Sequence, residues 1–282
     1  MASVRDQPAA DMSGLTLQQM LQSQSFEDFR AGAFDAARRQ PTSARARWLV
    51  YQLLCIDGDW ERALKQLQVW ATLEADSTMR AQLHRGLVTT DAFRTEVFAG
   101  SRKPGFVCPP PEWLETLVEA NAALARGNVA ESDRLRAAAL DAAGDSRGES
   151  PRAGAFAWLA DSDTRLGPAC EFFTAGYRWI PFEQMRALEI RPAGTLTDVV
   201  WVPARVVMRD DTAFDGYLPT RYAGSERGRP PIRLARETHW TGVGETAVIG
   251  AGQKVWSTDA GDWGLLEIGD CRFAEKEGHE AD

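Results

Sequence analysis

A chain of 282 residues, 44% hydrophobic and 26% charged, is long enough for two domains that each bury a core. Its formal net charge of −8 argues against nonspecific binding to nucleic acid or to an anionic membrane surface. No stretch approaches the ~20 apolar residues of a membrane helix, and Met1 to Ser13 is too poor in apolar residues to be the hydrophobic segment of a signal peptide.

Up to about residue 150 the chain reads as paired amphipathic helices. Gly32, Gly58 and Gly127 each precede a helix carrying small residues, and in the first two an aromatic follows by two positions and Ala by five. Such glycines supply left-handed helix ends, and Asp59 or Asn128 can start the next helix. Trp48, Leu49, Gln52, Leu53 and Ile56 form one stripe, and Trp60, Ala63, Leu64, Leu67 and Ala71 the facing one. Gly32 and Gly58 stand 26 residues apart, short of the usual ~34 of a tetratricopeptide repeat. The expectation is a degenerate TPR-like α-α superhelix over residues 14–145, with two or three hairpins between Leu15 and Ala143. Residues 78–99 fit a crossing helix, and Pro109, Pro110 and Pro111 preset the first turn of the helix carrying Trp113. A short helical array leaves a concave face to which a peptide helix can dock. Trp48, Tyr51, Trp60 and Trp70 are the candidate lining, with Tyr51 and Trp70 favoured because they fall off the main stripes.

Residues 144–152 are polar and rich in breakers, as a linker or exposed loop would be. Beyond them come short strand candidates: 156–160, 170–174, 176–180, 185–190, 199–208, 216–220, 231–236, 246–250, 253–257 and 264–268. Pro203 marks its segment as an edge strand or a bulge. Few helices lie between strands, so an antiparallel β-rich domain is expected over 153–273, as a small barrel or curled sheet. Residues 1–13 and 274–282 read as flexible termini.

Catalytic chemistry finds little support. The histidines His84, His239 and His279 share no metal-ligand spacing, and Cys55, Cys108, Cys170 and Cys271 form no CxxC pair. Reduced, structural thiols and a cytoplasmic address follow. The glycine run 242–254 lacks a Gly-Lys-Ser/Thr and has Val255 where a dinucleotide fingerprint needs Gly, so it reads as a hairpin. Asp161 and Asp163 can cap backbone N–H groups or hold Arg165 in a bidentate pair, and no EF-hand is complete there. No metal or cofactor is expected. The rival reading is a hydrolase or nucleotide-dependent enzyme built on Asp161, Asp163 and His239.

Several phrases then recur in order between about residues 30 and 273: 53–63, 158–168, 177–183, 221–226, 234–240 and 252–262. Together they resemble the ImpE/TagJ family, also called SciE-type virulence proteins. The resemblance implies a cytoplasmic accessory component of a bacterial type VI secretion system. Its partners would be the N-terminal helix of the small contractile-sheath subunit and the AAA+ ATPase that disassembles the sheath. Asp161, Asp163, Arg165, Arg221, Ser225, Arg236 and Asp259, most of them in these phrases, are expected to form an internal network or a second interface. The combined expectation is a non-enzymatic adaptor.

Overall fold

The structure is a computed structural model that describes residues 26–275. Its helical half runs α1 Phe26–Arg39, α2 Ala44–Asp57, α3 Trp60–Leu73, α4 Thr78–Phe98, α5 Glu112–Ala125 and α6 Val129–Asp141. Gly58 adopts a left-handed φ of 71° between α2 and α3, and the Asp59 carboxylate accepts from Arg62 N at 3.3 Å. Gly127 does the same between α5 and α6 with a φ of 78°, and α5 starts directly after Pro111. The hairpin expected at Gly32 does not form: α1 passes straight through it. Gly58 is followed by Asp59 and Gly127 by Asn128, whereas Ala33 offers no cap to start a new helix. The expected helical start at Leu15 lies outside the described residues.

The strands are β1 Gly105–Phe106, β2 Gly148–Ser150, β3 Gly154–Phe156, β4 Leu159–Asp161, β5 Ala169–Thr174, β6 Gly176–Pro181 and β7 Met185–Ile190. They continue as β8 Trp201–Met208, β9 Ala213–Pro219, β10 Thr238–Val243, β11 Ala247–Gly252, β12 Val255–Thr258, β13 Gly261–Gly264 and β14 Cys271–Phe273. Nine of them form one open sheet in the order β1-β6-β5-β9-β8-β7-β14-β2-β3. The β1–β6 pair is parallel, and the other neighbours are antiparallel. A three-stranded sheet, β13-β12-β4, and the β10–β11 hairpin complete the β-rich half. Among the described residues no sheet closes, so the barrel alternative is replaced by an open sheet.

Period-two alternation divides the sheet between two cores. Phe173, Trp179 and Trp201 face the helices and join Leu53, Leu67 and Leu117 in one cluster. Their chain neighbours Phe172, Ile180 and Val202 face the other way, toward Trp256, Leu265 and Ile268. Strands covered on both faces need not alternate in polarity, which explains the nearly continuous apolar run of β5. The helical half and the sheet therefore share a core.

Three expectations are corrected here. Residues 144–152 are ordered structure rather than a free linker, since β2 pairs with both β14 and β3. Segment 231–236 is not a strand: Pro230–Arg233 forms the short helix α7, as a Pro-Pro start favours. Pro203 lies in an interior strand between β7 and β9, so the edge alternative is corrected, while the β7–β8 pair does carry a register shift, between Met185 and Ala187. Its carbonyl accepts from Arg191 N at 3.0 Å, so its missing N–H faces the point where β7 has just ended at Ile190. Residues 1–13 and 276–282 lie outside the described residues, while Ala274 is held by Arg147 O at 2.8 Å.

Candidate functional site

The family-phrase residues fall into two groups. Asp161, Asp163, Arg165, Arg221 and Ser225 are buried, whereas Arg236 and Asp259 are exposed. Asp161 accepts from Asp163 N at 2.9 Å, from Tyr222 Oη at 2.8 Å and from Lys254 Nζ at 2.7 Å. Asp163 receives Arg165 Nε at 2.9 Å and Nη2 at 2.5 Å, and takes Gly250 N at 3.0 Å. Ser225 Oγ donates to Tyr222 O and accepts from Gly252 N, pinning the loop before α7 to β11. Asp259 accepts from Ala157 N at 2.8 Å, tying two surface turns.

A second layer links this network to the helices, and it was not singled out from sequence. Arg94 on α4 makes a bidentate pair with Glu171 on β5, and Lys254 reaches the same carboxylate at 2.7 Å. Tyr177 Oη also donates to Glu171, and Trp201 Nε1 donates to Asp91 at 2.7 Å. Burial acts to raise the Glu171 pKa, but Arg94 and Lys254 overcome it and hold the carboxyl at about 2. Burial dominates at Asp161, whose pKa is raised despite Lys254. The only sequence signal for this layer was a Glu inside an apolar strand, which demands a cation once both faces are covered.

His239 does not join the aspartates. It is exposed on β10, one residue from Trp240, whose ring packs against Tyr222 at 5.5 Å. Alternation along β10 turns His239 away from the face where Tyr222 meets Asp161. The expected convergence of Asp161, Asp163 and His239 is therefore not what the fold builds. Among the described residues, no group of three or more His, Cys, Asp or Glu side chains is placed to hold a metal.

Of the four aromatics expected to line a groove, three gather in one place. Trp48 lies 4.6 Å from Trp70, 5.1 Å from Tyr51 and 4.8 Å from His84, ring centre to ring centre. Tyr51 is 0% exposed, bonded through its hydroxyl to His84 Nδ1 at 3.0 Å, and Trp70 is also buried. Trp60 is half-buried and stacked on Trp201 at 5.8 Å. The preference for Tyr51 and Trp70 as open surface is thus corrected. The second half of helix α2 is buried at seven consecutive positions, Val50 to Ile56, so around Tyr51 it has no off-stripe face to expose.

The open apolar surface lies nearby, on α4. Met79 is 82% exposed and Leu83 44%, and Val69 and Leu73 on α3 are also exposed. Met79, Leu83, Gly86 and Thr90 fall at i, i+4, i+7 and i+11, one stripe of the 21-residue helix. The C-terminal part of the helix packs on the sheet, Phe93 against Tyr177 and Phe98 against Trp179. A cleft of about 850 Å³ lies between Leu83, Gly86 and Thr90 on one side and Phe173, Pro203 and Tyr217 on the other. Gly86 contributes no side chain, and a Cβ there would meet nothing within 4 Å.

Comparison with known proteins agrees with the phrases read from sequence. The ImpE protein family matches residues 153–272. The chain is 36% identical over 278 residues to the type VI secretion system accessory component TagJ of Pseudomonas aeruginosa, covering 94% of this chain and 96% of that one. Its fold is similar to the crystal structure of protein VPA1032 from Vibrio parahaemolyticus. The TM-score is 0.81 at 24% identity, over 89% of this chain and 94% of that one.

Proposed function

The chain belongs to the ImpE/TagJ family, and from that premise we propose that it is a non-enzymatic adaptor of a bacterial type VI secretion system, working in the cytoplasm. In this reading it takes the N-terminal helix of the small contractile-sheath subunit, and the sheath-disassembling AAA+ ATPase is its second partner. The helical half is read as a degenerate TPR-like array whose docking surface is the outer stripe of α4.

The observation that carries the reading is the cleft beneath that stripe. An amphipathic helix docks by placing side chains at i, i+3, i+4 and i+7 into a preformed apolar trough. Leu83 and the bare backbone at Gly86 offer such a trough, with Tyr217 and Pro203 as its far wall, and the exposed Met79 continues the stripe beyond it. The buried carboxylates, by contrast, are all engaged in holding the fold together, which favours an adaptor over a hydrolase.

The test is a titration of the full chain with a labelled peptide of the sheath subunit's N-terminal helix. A helical fragment is unsuitable because its core continues into the sheet. Leu83→Glu and Gly86→Phe should each weaken binding about tenfold or more while leaving the melting temperature in place. Unchanged affinity in both variants would move the helix elsewhere. No binding by the native chain would remove the sheath reading.

A further inference from the structure

The opposite end of α4 borders a second concavity, of about 410 Å³, that the reading above does not use. Phe98, Val118 and Trp179 form its apolar floor, and Arg102, Lys103 and Arg126 stand around it. In a chain of net charge −8, three cations here are a local reversal of sign. Arg102 is committed to Glu96 at 3.0 Å and lies over the Phe93 ring. Lys103 and Arg126 are exposed and enter no ion pair among the described residues.

Two helices, α4 and α5, end beside this pocket, and helix C-termini attract cations on their own account. Here that need is already met by the backbone. The carbonyls of Thr95, Glu96 and Val97 accept from the N–H groups of Ala99, Ser101 and Gly100. Those of Ala122, Ala123 and Leu124 accept from Arg126, Asn128 and Gly127. The Lys103 and Arg126 side chains are therefore not required as caps, and their charge is available to a ligand.

We propose that this pocket docks an acidic peptide segment. One bulky apolar side chain sits over Phe98, Val118 and Trp179, and flanking carboxylates meet Lys103 and Arg126. An inorganic anion would leave the apolar floor unused, and an uncharged apolar group would leave the cations unused. The site stands apart from the cleft: Leu83 and Val97 are about 21 Å apart along one rigid helix, at 1.5 Å per residue.

The experiment uses the full chain and a fluorescein-labelled peptide with a central phenylalanine flanked on each side by three glutamates. Two control peptides carry lysine for glutamate and alanine for phenylalanine. Saturable binding of the acidic peptide is expected, with each control about tenfold weaker or more. The double variant Lys103→Glu/Arg126→Glu should lose binding to a similar degree. Lys103→Gln/Arg126→Gln should lose less and melt like the native chain because neither residue holds a partner, whereas the glutamates beside two helix C-termini lower the melting temperature slightly, so binding is read well below it. Binding of the acidic peptide should also fall as salt rises. Equal binding of the acidic and lysine peptides, undiminished binding by the charge-reversed chain, or no binding by the native chain would each overturn the proposal. Leu83→Glu should leave this binding untouched, so failure here and failure at the cleft are separate results.

Discussion

Arg94 and Glu171 meet through two parallel hydrogen bonds, Nε to Oε1 at 2.5 Å and Nη2 to Oε2 at 2.8 Å, with both side chains buried. One belongs to a helix and the other to the central sheet, 77 residues later. The pair therefore fixes how the two halves sit against each other. Removing Arg94 leaves the buried Glu171 with Lys254 as its remaining cation, and breaking a buried pair typically costs about 3–5 kcal/mol. Arg94→Met should lower unfolding stability by about that amount, measured by urea denaturation. Arg94→Met/Glu171→Gln should recover part of the loss, because the carboxylate that lost its bidentate partner is then neutral, while Lys254 keeps Asp161. A single variant as stable as the native chain would sink the clamp.

The same carboxylate sets an acid limit. Its folded pKa of about 2 lies below the ordinary value of 4.5, so its contribution is complete above pH 4.5 and fades as pH falls through 2. At 1.36 kcal/mol per unit, the group contributes about 3 kcal/mol of acid-sensitive stability. Glu171→Gln should be less stable at pH 7 and lose less between pH 4.5 and 2. Parallel stability curves for the two proteins would show that Glu171 is not the group responsible.

His84 works in a different window. Burial first, and then Arg80, push its pKa down from 6.5 to about 4. The unfolded chain therefore takes up the proton first as pH falls, and stability drops between pH 6.5 and 4. With three histidines in the chain, ring nitrogen NMR resolves each. The His84 signal should stay neutral at pH 5.5, with Nδ1 hydrogen-bonded to the Tyr51 hydroxyl. A midpoint near 6.5 would contradict the buried placement.

Much of this molecule was legible from local chemistry. Gly58-Asp59 and Gly127-Asn128 announced their hairpins, and Pro111 announced the start of α5. The bidentate Asp163–Arg165 pair also follows from spacing, since two residues on a short turn meet without help from the rest of the fold. Distant partners were not legible. Nothing near Glu171 in the chain points to Arg94 or Lys254, because only the packing of α4 on the sheet brings them together. Stripe reasoning failed at Tyr51 for a related cause. It assumes one wet face, and the second half of α2, from Val50 to Ile56, is packed all round. The α4 cleft was missed because its walls come from α4 and from β5, β8 and β9, which only the fold brings together.

Gly86 offers a stability test that is independent of any partner. It sits inside α4 with ordinary helical geometry, and an added Cβ would meet nothing within 4 Å. Glycine in a helix interior costs roughly 0.5–1 kcal/mol relative to alanine through the freedom it loses on folding. Gly86→Ala should therefore raise unfolding stability by about that much. A destabilised Gly86→Ala would mean that the cleft wall is tighter than the geometry shows.

Arg221 presents the sharpest case of a side chain used as a backbone clasp. Its guanidinium donates to Ile56 O at 2.8 Å, Cys55 O at 3.0 Å and Arg233 O at 2.5 Å, so it closes the C-terminal end of α2 and holds the end of α7 against it. Burial lowers its pKa to about 10 despite Asp91, yet it stays protonated at neutral pH. Lysine brings a charge but only a compact ammonium, which cannot reproduce the planar fork that spans these carbonyls. Arg221→Lys should cost about 1–3 kcal/mol, the usual penalty for leaving buried polar groups short of partners. Arg221→Met should cost at least as much, because it leaves all three carbonyls without this donor. Both are read from urea midpoints, with amide exchange at the ends of α2 and α7 reporting where the loss falls. If Arg221→Lys loses no more than an exposed substitution, within about 0.5 kcal/mol, then a point charge suffices and the fork geometry is not what secures the junction.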